Sequence, residues 1–151
     1  MLAFFLSAQV AFAQKAAIIK FDGLQKILNT KTGQIQVINF WATWCAPCVK
    51  ELPLLEKFNT ENNLNAKITL INLDFADKID KVNEFIARKN IHSNVLLLDE
   101  VDYNSWIDKV DKTWSGAIPA TLVFNPMTGK RKFVEKELKE GELEKLVAEL
   151  K

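Results

Sequence analysis

The sequence predicts an α/β domain: a mixed central sheet with helices on both faces. Three observations carry this. Short apolar runs alternate with stretches whose apolar residues recur at three- and four-residue steps, so strands alternate with helices. The last two strand-like runs are joined by Asn125-Pro126-Met127-Thr128-Gly129, a hairpin turn, so an antiparallel pair joins the parallel strands. The length, 151 residues, suits one domain and allows a buried core without staples.

The elements follow in order. Ala16 to Phe21 reads as a short strand, and Asp22 as the cap of a helix with Leu24, Ile27 and Leu28 on one face. Lys31-Thr32-Gly33 breaks that helix. Gln36 to Trp41 has the pattern of a buried strand and runs straight into the segment that holds Cys45. After Cys45 the period changes. Val49, Leu52, Leu55 and Phe58 recur as on a helix that ends near Asn62-Asn63. Ile68 to Leu73 is a strand, and Lys78 to Lys89 a helix with Ile79, Val82 and Ile86 in phase. Asn94 to Leu98 is a strand, followed by a short helix from Tyr103 to Val110. Thr121 to Phe124 is a strand, Lys130 to Glu135 its hairpin partner, and Gly141 to Leu150 a closing amphipathic helix. In such sheets chemistry sits outside the carboxyl ends of the parallel strands. Cys45 lies just past one.

Composition narrows the function. Hydrophobic residues make up 48% and charged residues 26%, an ordinary globular balance. Twenty basic against 19 acidic residues leave a net charge of +1, which gives no electrostatic reason to expect nucleic acid or an anionic membrane as partner. The charged C-terminal stretch alternates in sign and reads as a solvated helix face. Residues 1–13 stand apart. They are apolar and end in Ala11-Phe12-Ala13, like the apolar region and cleavage site of a secretory signal. The mature domain would then be 14–151, in the periplasm or another extracytoplasmic compartment. No Lys or Arg precedes the apolar run, as in a start truncated upstream. The competing reading is a packed or frayed N-terminal element. The run falls short of the ~20 apolar residues a membrane span needs.

Only two cysteines are present, and both lie in Trp41-Ala42-Thr43-Trp44-Cys45-Ala46-Pro47-Cys48-Val49-Lys50-Glu51-Leu52-Pro53. At a strand-to-helix junction the first sulfur meets the unpaired N–H groups and the dipole of a helix N-terminus, which favour an anion. A free thiol titrates near ~8.5, and such a site can lower that to ~7 or below. Only the thiolate attacks a disulfide. Cys45 is thus the candidate nucleophile. Cys48, in the first turn, is placed to resolve the mixed disulfide. Pro47 fits a turn where its missing N–H costs nothing. Trp41 and Trp44 are expected to flank the site with apolar surface. Other uses of the pair fit less well. A disulfide closing so short a loop constrains the unfolded chain weakly, zinc needs more ligands than two cysteines and the distant His92 supply, and haem attachment needs a histidine where Val49 stands. His92 reads as a loop residue without a catalytic part.

Val37 to Cys48, VINFWATWCAPC, resembles the active-site segment of thioredoxin-fold proteins. The continuation Lys50-Glu51-Leu52-Pro53 resembles their TlpA/ResA-like branch, the extracytoplasmic thiol–disulfide oxidoreductases. Gly116 to Phe124, GAIPATLVF, is similar to the segment that carries the fold's cis-proline. The resemblance implies a thioredoxin-like fold in which Pro119 is cis and faces the cysteines, while Ile118 and Trp44 line the substrate site. It implies that Glu51, one turn after Cys48, is buried and takes part in proton transfer. Asn39 stands where thioredoxins keep a buried aspartate. Pro53 matches a proline kink shared across the fold. Between Cys48 and Pro119 the chain fits two strands and two helices, the central βα insertion of the branch. The extra N-terminal β-hairpin of many members has no room here.

The resulting expectation is a protein-disulfide reductase that works as a monomer through Cys45 and Cys48 with no metal or other cofactor. Its partners are protein disulfides and an upstream membrane thiol reductant. Two rivals remain. A peroxiredoxin-like peroxidase needs Thr-x-x-Cys, and Thr43 is one residue too close to Cys45. A non-catalytic peptide-binding module has no need of a reactive pair.

Overall fold

The computed structural model describes residues 14–61 and 64–151. The expected signal, residues 1–13, and the helix end expected at Asn62-Asn63 lie outside the described residues. The element order is β1 (Ala17–Ile19), α1 (Phe21–Leu28), β2 (Ile35–Trp41), α2 (Ala46–Glu61), β3 (Ala66–Asn72), α3 (Ile79–Arg88), β4 (Asn94–Leu98), α4 (Ile107–Val110), β5 (Ala120–Phe124), β6 (Arg131–Val134) and α5 (Glu142–Ala148). Single 3-10 turns precede α3 and α4.

The six strands form one sheet in the order β1-β4-β3-β2-β5-β6. β1, β4, β3 and β2 run parallel, and β5 and β6 are antiparallel to their neighbours. This is the thioredoxin-like fold, mixed as predicted, with the inserted β4 between β1 and β3. β2 lies inside the sheet and every residue of it is buried, which is why Ile35–Trp41 lacks the polar alternation of a strand facing water.

The sheet separates two apolar layers. Val37, Trp41, Leu52, Leu55, Phe85 and Val147 belong to one, and Ile38, Phe40, Leu73, Trp106 and Trp114 to the other. Val37 and Trp41 against Ile38 and Phe40 show the period-two alternation of one strand serving both faces. The second layer is aromatic: Phe40 packs 4.5 Å from Trp114, centroid to centroid, and Trp114 lies 5.5 Å from Trp106.

One local expectation needs correction. Asp22 does not cap α1. The helix begins two residues earlier than that cap implies, Lys20 is its extended N-cap, and Glu100 accepts the Phe21 N–H at 3.2 Å, so a residue distant in sequence does the capping. Trp41 lies in the same apolar layer as Cys45 and Cys48, fully buried and 5.4 Å from Phe85, at the last residue of β2.

Candidate active site

β2 leaves the sheet at Trp41 and the chain turns into α2 through Ala42 to Cys45. That turn is tied to the carboxyl end of β3. The backbone N–H and hydroxyl of Thr43 donate to the Asp74 carboxylate at 2.8 and 2.5 Å, and Asn72 Nδ2 donates to it at 2.7 Å. Asp74 N–H returns a bond to Asn72 Oδ1 at 3.0 Å. The residue that precedes Trp44 and Cys45 is therefore held on both its main-chain and side-chain donors.

Cys45 occupies the cap of α2. Its carbonyl accepts the Val49 N–H at 3.0 Å and its sulfur accepts the Cys48 N–H at 3.3 Å. A side chain accepting the N3 amide is the geometry of an N-cap. Here the acceptor is the sulfur expected to be the nucleophile, and once the disulfide is reduced the dipole and an aimed N–H both favour a thiolate there. Pro47 lies inside the first turn.

Cys45 and Cys48 form a disulfide. Cys48 is 0% exposed and Cys45 6%, so an incoming group reaches Cys45 first. The Ile118–Pro119 peptide is cis, as the resemblance implied, and the Ile118 carbonyl oxygen lies 3.7 Å from Cys45 Sγ. In the disulfide no proton bridges that contact; the reduced thiol has one to donate. Trp44, next to Cys45, is 68% exposed. Thus Cys45, Cys48, Ile118 and Pro119 come together, with Trp44 presented to solvent beside them.

Glu51 is buried. On α2 the inward positions are Cys48, Glu51, Leu52, Leu55 and Phe58, a helical stripe in which a carboxyl takes a core place. One carboxyl oxygen accepts Asn39 Nδ2 at 2.7 Å, and the other accepts the Leu138 N–H at 2.7 Å. Burial pushes the Glu51 carboxyl above its ordinary range; the two hydrogen bonds oppose this, nearby Glu137 adds to it, and Lys139 opposes it. His92 is exposed beside the amino end of β4 and donates its N–H to Glu56 at 2.8 Å. It belongs to the opposite end of the parallel strands. Among the described residues no group of three or more His, Cys, Asp or Glu is placed to hold a metal.

Sequence reasoning missed Asp74, Thr121 and the Leu138 amide. Asp74 carries a faint signal, an acid just past a strand paired with β2. Thr121 carries another, a hydroxyl in an apolar strand, and it pairs with Asn39 across β2 and β5. A backbone N–H such as that of Leu138 leaves no trace in side-chain identity.

The family model for Redoxin matches residues 14–127. A thioredoxin-like protein, YneN of Bacillus subtilis, is 31% identical over 87 residues, covering 55% of this chain and 51% of its own length. Sporulation thiol-disulfide oxidoreductase A of the same organism is 31% identical over 68 residues, 44% of this chain and 41% of its own. The chain thus spans about half the length of the curated relatives it matches. Among solved structures, a thioredoxin-related protein from Neisseria meningitidis serogroup B superposes with a TM-score of 0.69 at 24% identity, over 80% of this chain and 87% of that one.

Proposed function

The chain belongs to the redoxin family, in the TlpA/ResA-like part of the thioredoxin superfamily, and from that premise we propose that it is an exported reductase of protein disulfides. The observation that carries the reading is the placement of the Cys45–Cys48 pair. The outer sulfur caps α2 and lies beside the Ile118 carbonyl, and the inner one is sealed.

In the reduced protein the Cys45 thiolate attacks one sulfur of a substrate disulfide. The substrate S–S bond breaks, and its other sulfur leaves as a thiolate that takes up a proton. Cys48 gives its proton to Glu51 and attacks Cys45 Sγ. The mixed disulfide breaks, the second substrate sulfur leaves and is protonated, and the Cys45–Cys48 bond forms. Two electrons have passed to the substrate. A dithiol donor, in this compartment a membrane thiol reductant, restores the pair by the same steps in reverse. Trp44 and Ile118 meet the substrate segment, with Pro119 shaping the groove. No other electron carrier is needed, and the protein acts as a monomer. The peroxidase reading is weaker, because the Thr43 hydroxyl donates to Asp74.

The test is trapping. Cys48→Ser leaves Cys45 free to attack and nothing to resolve the product, so mixed disulfides accumulate on diagonal gels; Cys45→Ser accumulates none. Equal trapping by both variants would overturn the roles. Insulin reduction with dithiothreitol separates the enzyme from a peptide-binding module. Export rests on residues 1–13, and a chain starting at Gln14 is expected to melt at the same temperature as one that retains them.

A further inference from the structure

Asn39 sits where three parts of the site meet. It lies on β2, the strand leading to Cys45. Its Nδ2 donates to Glu51 on α2 at 2.7 Å and to Thr121 Oγ1 at 3.0 Å, two residues past the cis-proline. Asn39 and Thr121 are 0% exposed. The other amide atom, Asn39 Oδ1, is buried with no hydrogen-bond partner. A buried polar atom without a partner is costly and calls for a reason.

The reason lies in what Glu51 must do. As arranged, Glu51 accepts a hydrogen bond at each oxygen, which suits a carboxylate. A protonated carboxyl has a hydrogen to donate and needs an acceptor. The Leu138 N–H cannot accept. Asn39 can, because turning its amide over presents Oδ1 to Glu51 in place of Nδ2. Thr121 follows either state, since a hydroxyl both donates and accepts. The amide torsion is broad and roughly two-fold, so both settings are open to the side chain. An aspartate here could not donate to the Glu51 carboxylate, and a leucine could do neither.

We propose that Asn39 is the positioning residue for Glu51, its amide reversing with the protonation of the carboxyl so that one contact holds the group in place before and after it takes the Cys48 proton. This rests on the proton-transfer role proposed above for Glu51. The charged groups facing Glu51 are Glu137 and Lys139, both in the segment after β6 and bonded to each other at 2.8 Å. Lys50 of α2 also pairs with Glu137, at 3.2 Å. The contacts from β2 and β5 are the uncharged Asn39 and Thr121.

The experiment is a pH titration of the oxidised chain by NMR, following the Glu51 side-chain carboxyl carbon and the Asn39 side-chain amide. In the wild type the Asn39 amide signals should move with the Glu51 midpoint, and in Glu51→Gln they should stop responding over that range. Asn39→Asp, close in shape, removes the donor and adds a second carboxyl, so the Glu51 midpoint should move to higher pH. Thr121→Val leaves Asn39 in place and should produce a smaller shift in the same direction. Insulin reduction by Asn39→Asp should slow roughly tenfold or more, with its pH profile displaced to higher pH. Asn39 amide signals that ignore the Glu51 midpoint, or a Glu51 midpoint unmoved in both variants, would overturn the proposal even if insulin is reduced normally. The titration needs no turnover. An amide that follows Glu51 in a chain inert toward insulin would therefore sustain the Asn39 assignment while the reductase reading fell.

Discussion

Two buried carboxyl groups lie near the cysteine pair, and they are built differently. Asp74 accepts three hydrogen bonds, two from Thr43 and one from Asn72, and all serve to hold the turn into α2. Glu51 is more deeply buried, at 2% exposure against 8% for Asp74, yet it has one donor per oxygen and faces Glu137. A buried anion is tolerated in proportion to the donors that replace its water. Asp74 has the architecture of an anchor. Glu51 has the sparser donor set that suits the proton-transfer role proposed for it.

The largest expected effect separates the two by stability. Asp74→Ala leaves the Thr43 N–H, the Thr43 hydroxyl and the Asn72 amide without their acceptor, at about 1 kcal/mol or more each, so a loss of about 3 kcal/mol is expected in urea unfolding. The pH profile of exchange by the folded fraction should keep its shape. A profile displaced as much as in Glu51 variants would mean that Asp74 also moves protons, and the contrast would fail.

Next in size is Glu51→Gln, which keeps the side-chain shape and removes the titrating group. Insulin reduction is expected to slow by roughly 10²-fold with a changed profile from pH 5 to 10, while unfolding free energy changes by no more than about 1 kcal/mol. Superimposable profiles would reduce Glu51 to a structural residue. Thr43→Val sharpens the anchor side. It deletes one of the three bonds to Asp74 and should cost about 1 kcal/mol, with exchange slowed only through looser placement of Cys45.

The smallest effect is the pH dependence of stability. Burial raises the Glu51 carboxyl in the folded state, so the folded protein binds this proton more tightly than the unfolded one. Its contribution is present below the ordinary carboxylate range and is lost as pH rises through the raised value. Asp111, Glu135, Glu137 and Glu142 are lowered and contribute with the opposite sign. The wild type minus Glu51→Gln difference isolates Glu51, and stability measured from pH 4 to 8 should show the wild type losing ground to the variant as pH rises. A difference independent of pH would show that burial does not hold the proton on Glu51.

The contrast also explains what could be read from the amino acids. α2 and α3 were legible because their apolar residues recur at helical steps, β2 and β4 because they are short apolar-rich runs, and Cys45, Cys48 and Pro119 because they lie in two motifs that fit one fold. Glu51 was legible by resemblance. Its burial follows from the stripe of Cys48, Leu52, Leu55 and Phe58 once α2 is seen to pack on the sheet. The cap of α1 was misread because Glu100 reaches it across 79 residues of sequence, and no local pattern records that. Asp74 and Thr121 escaped because their partners are set by strand pairing, which joins residues 31 and 82 positions away to the segment around Cys45.

The sulfur of Cys45 is both the reactive atom and the acceptor at the end of α2. A serine in its place would retain a side-chain oxygen able to take the Cys48 N–H, as serine does at helix starts generally, whereas an alanine would lose the acceptor along with the thiol. A lineage built on this scaffold can therefore abandon electron transfer by a cysteine-to-serine exchange and keep its helix start intact. What would survive is the exposed Trp44 ring and the cis Ile118–Pro119 segment beside the exchanged side chain. The loss of redox chemistry would be structurally almost silent in such a fold, and it would be visible only in the chemistry of one atom.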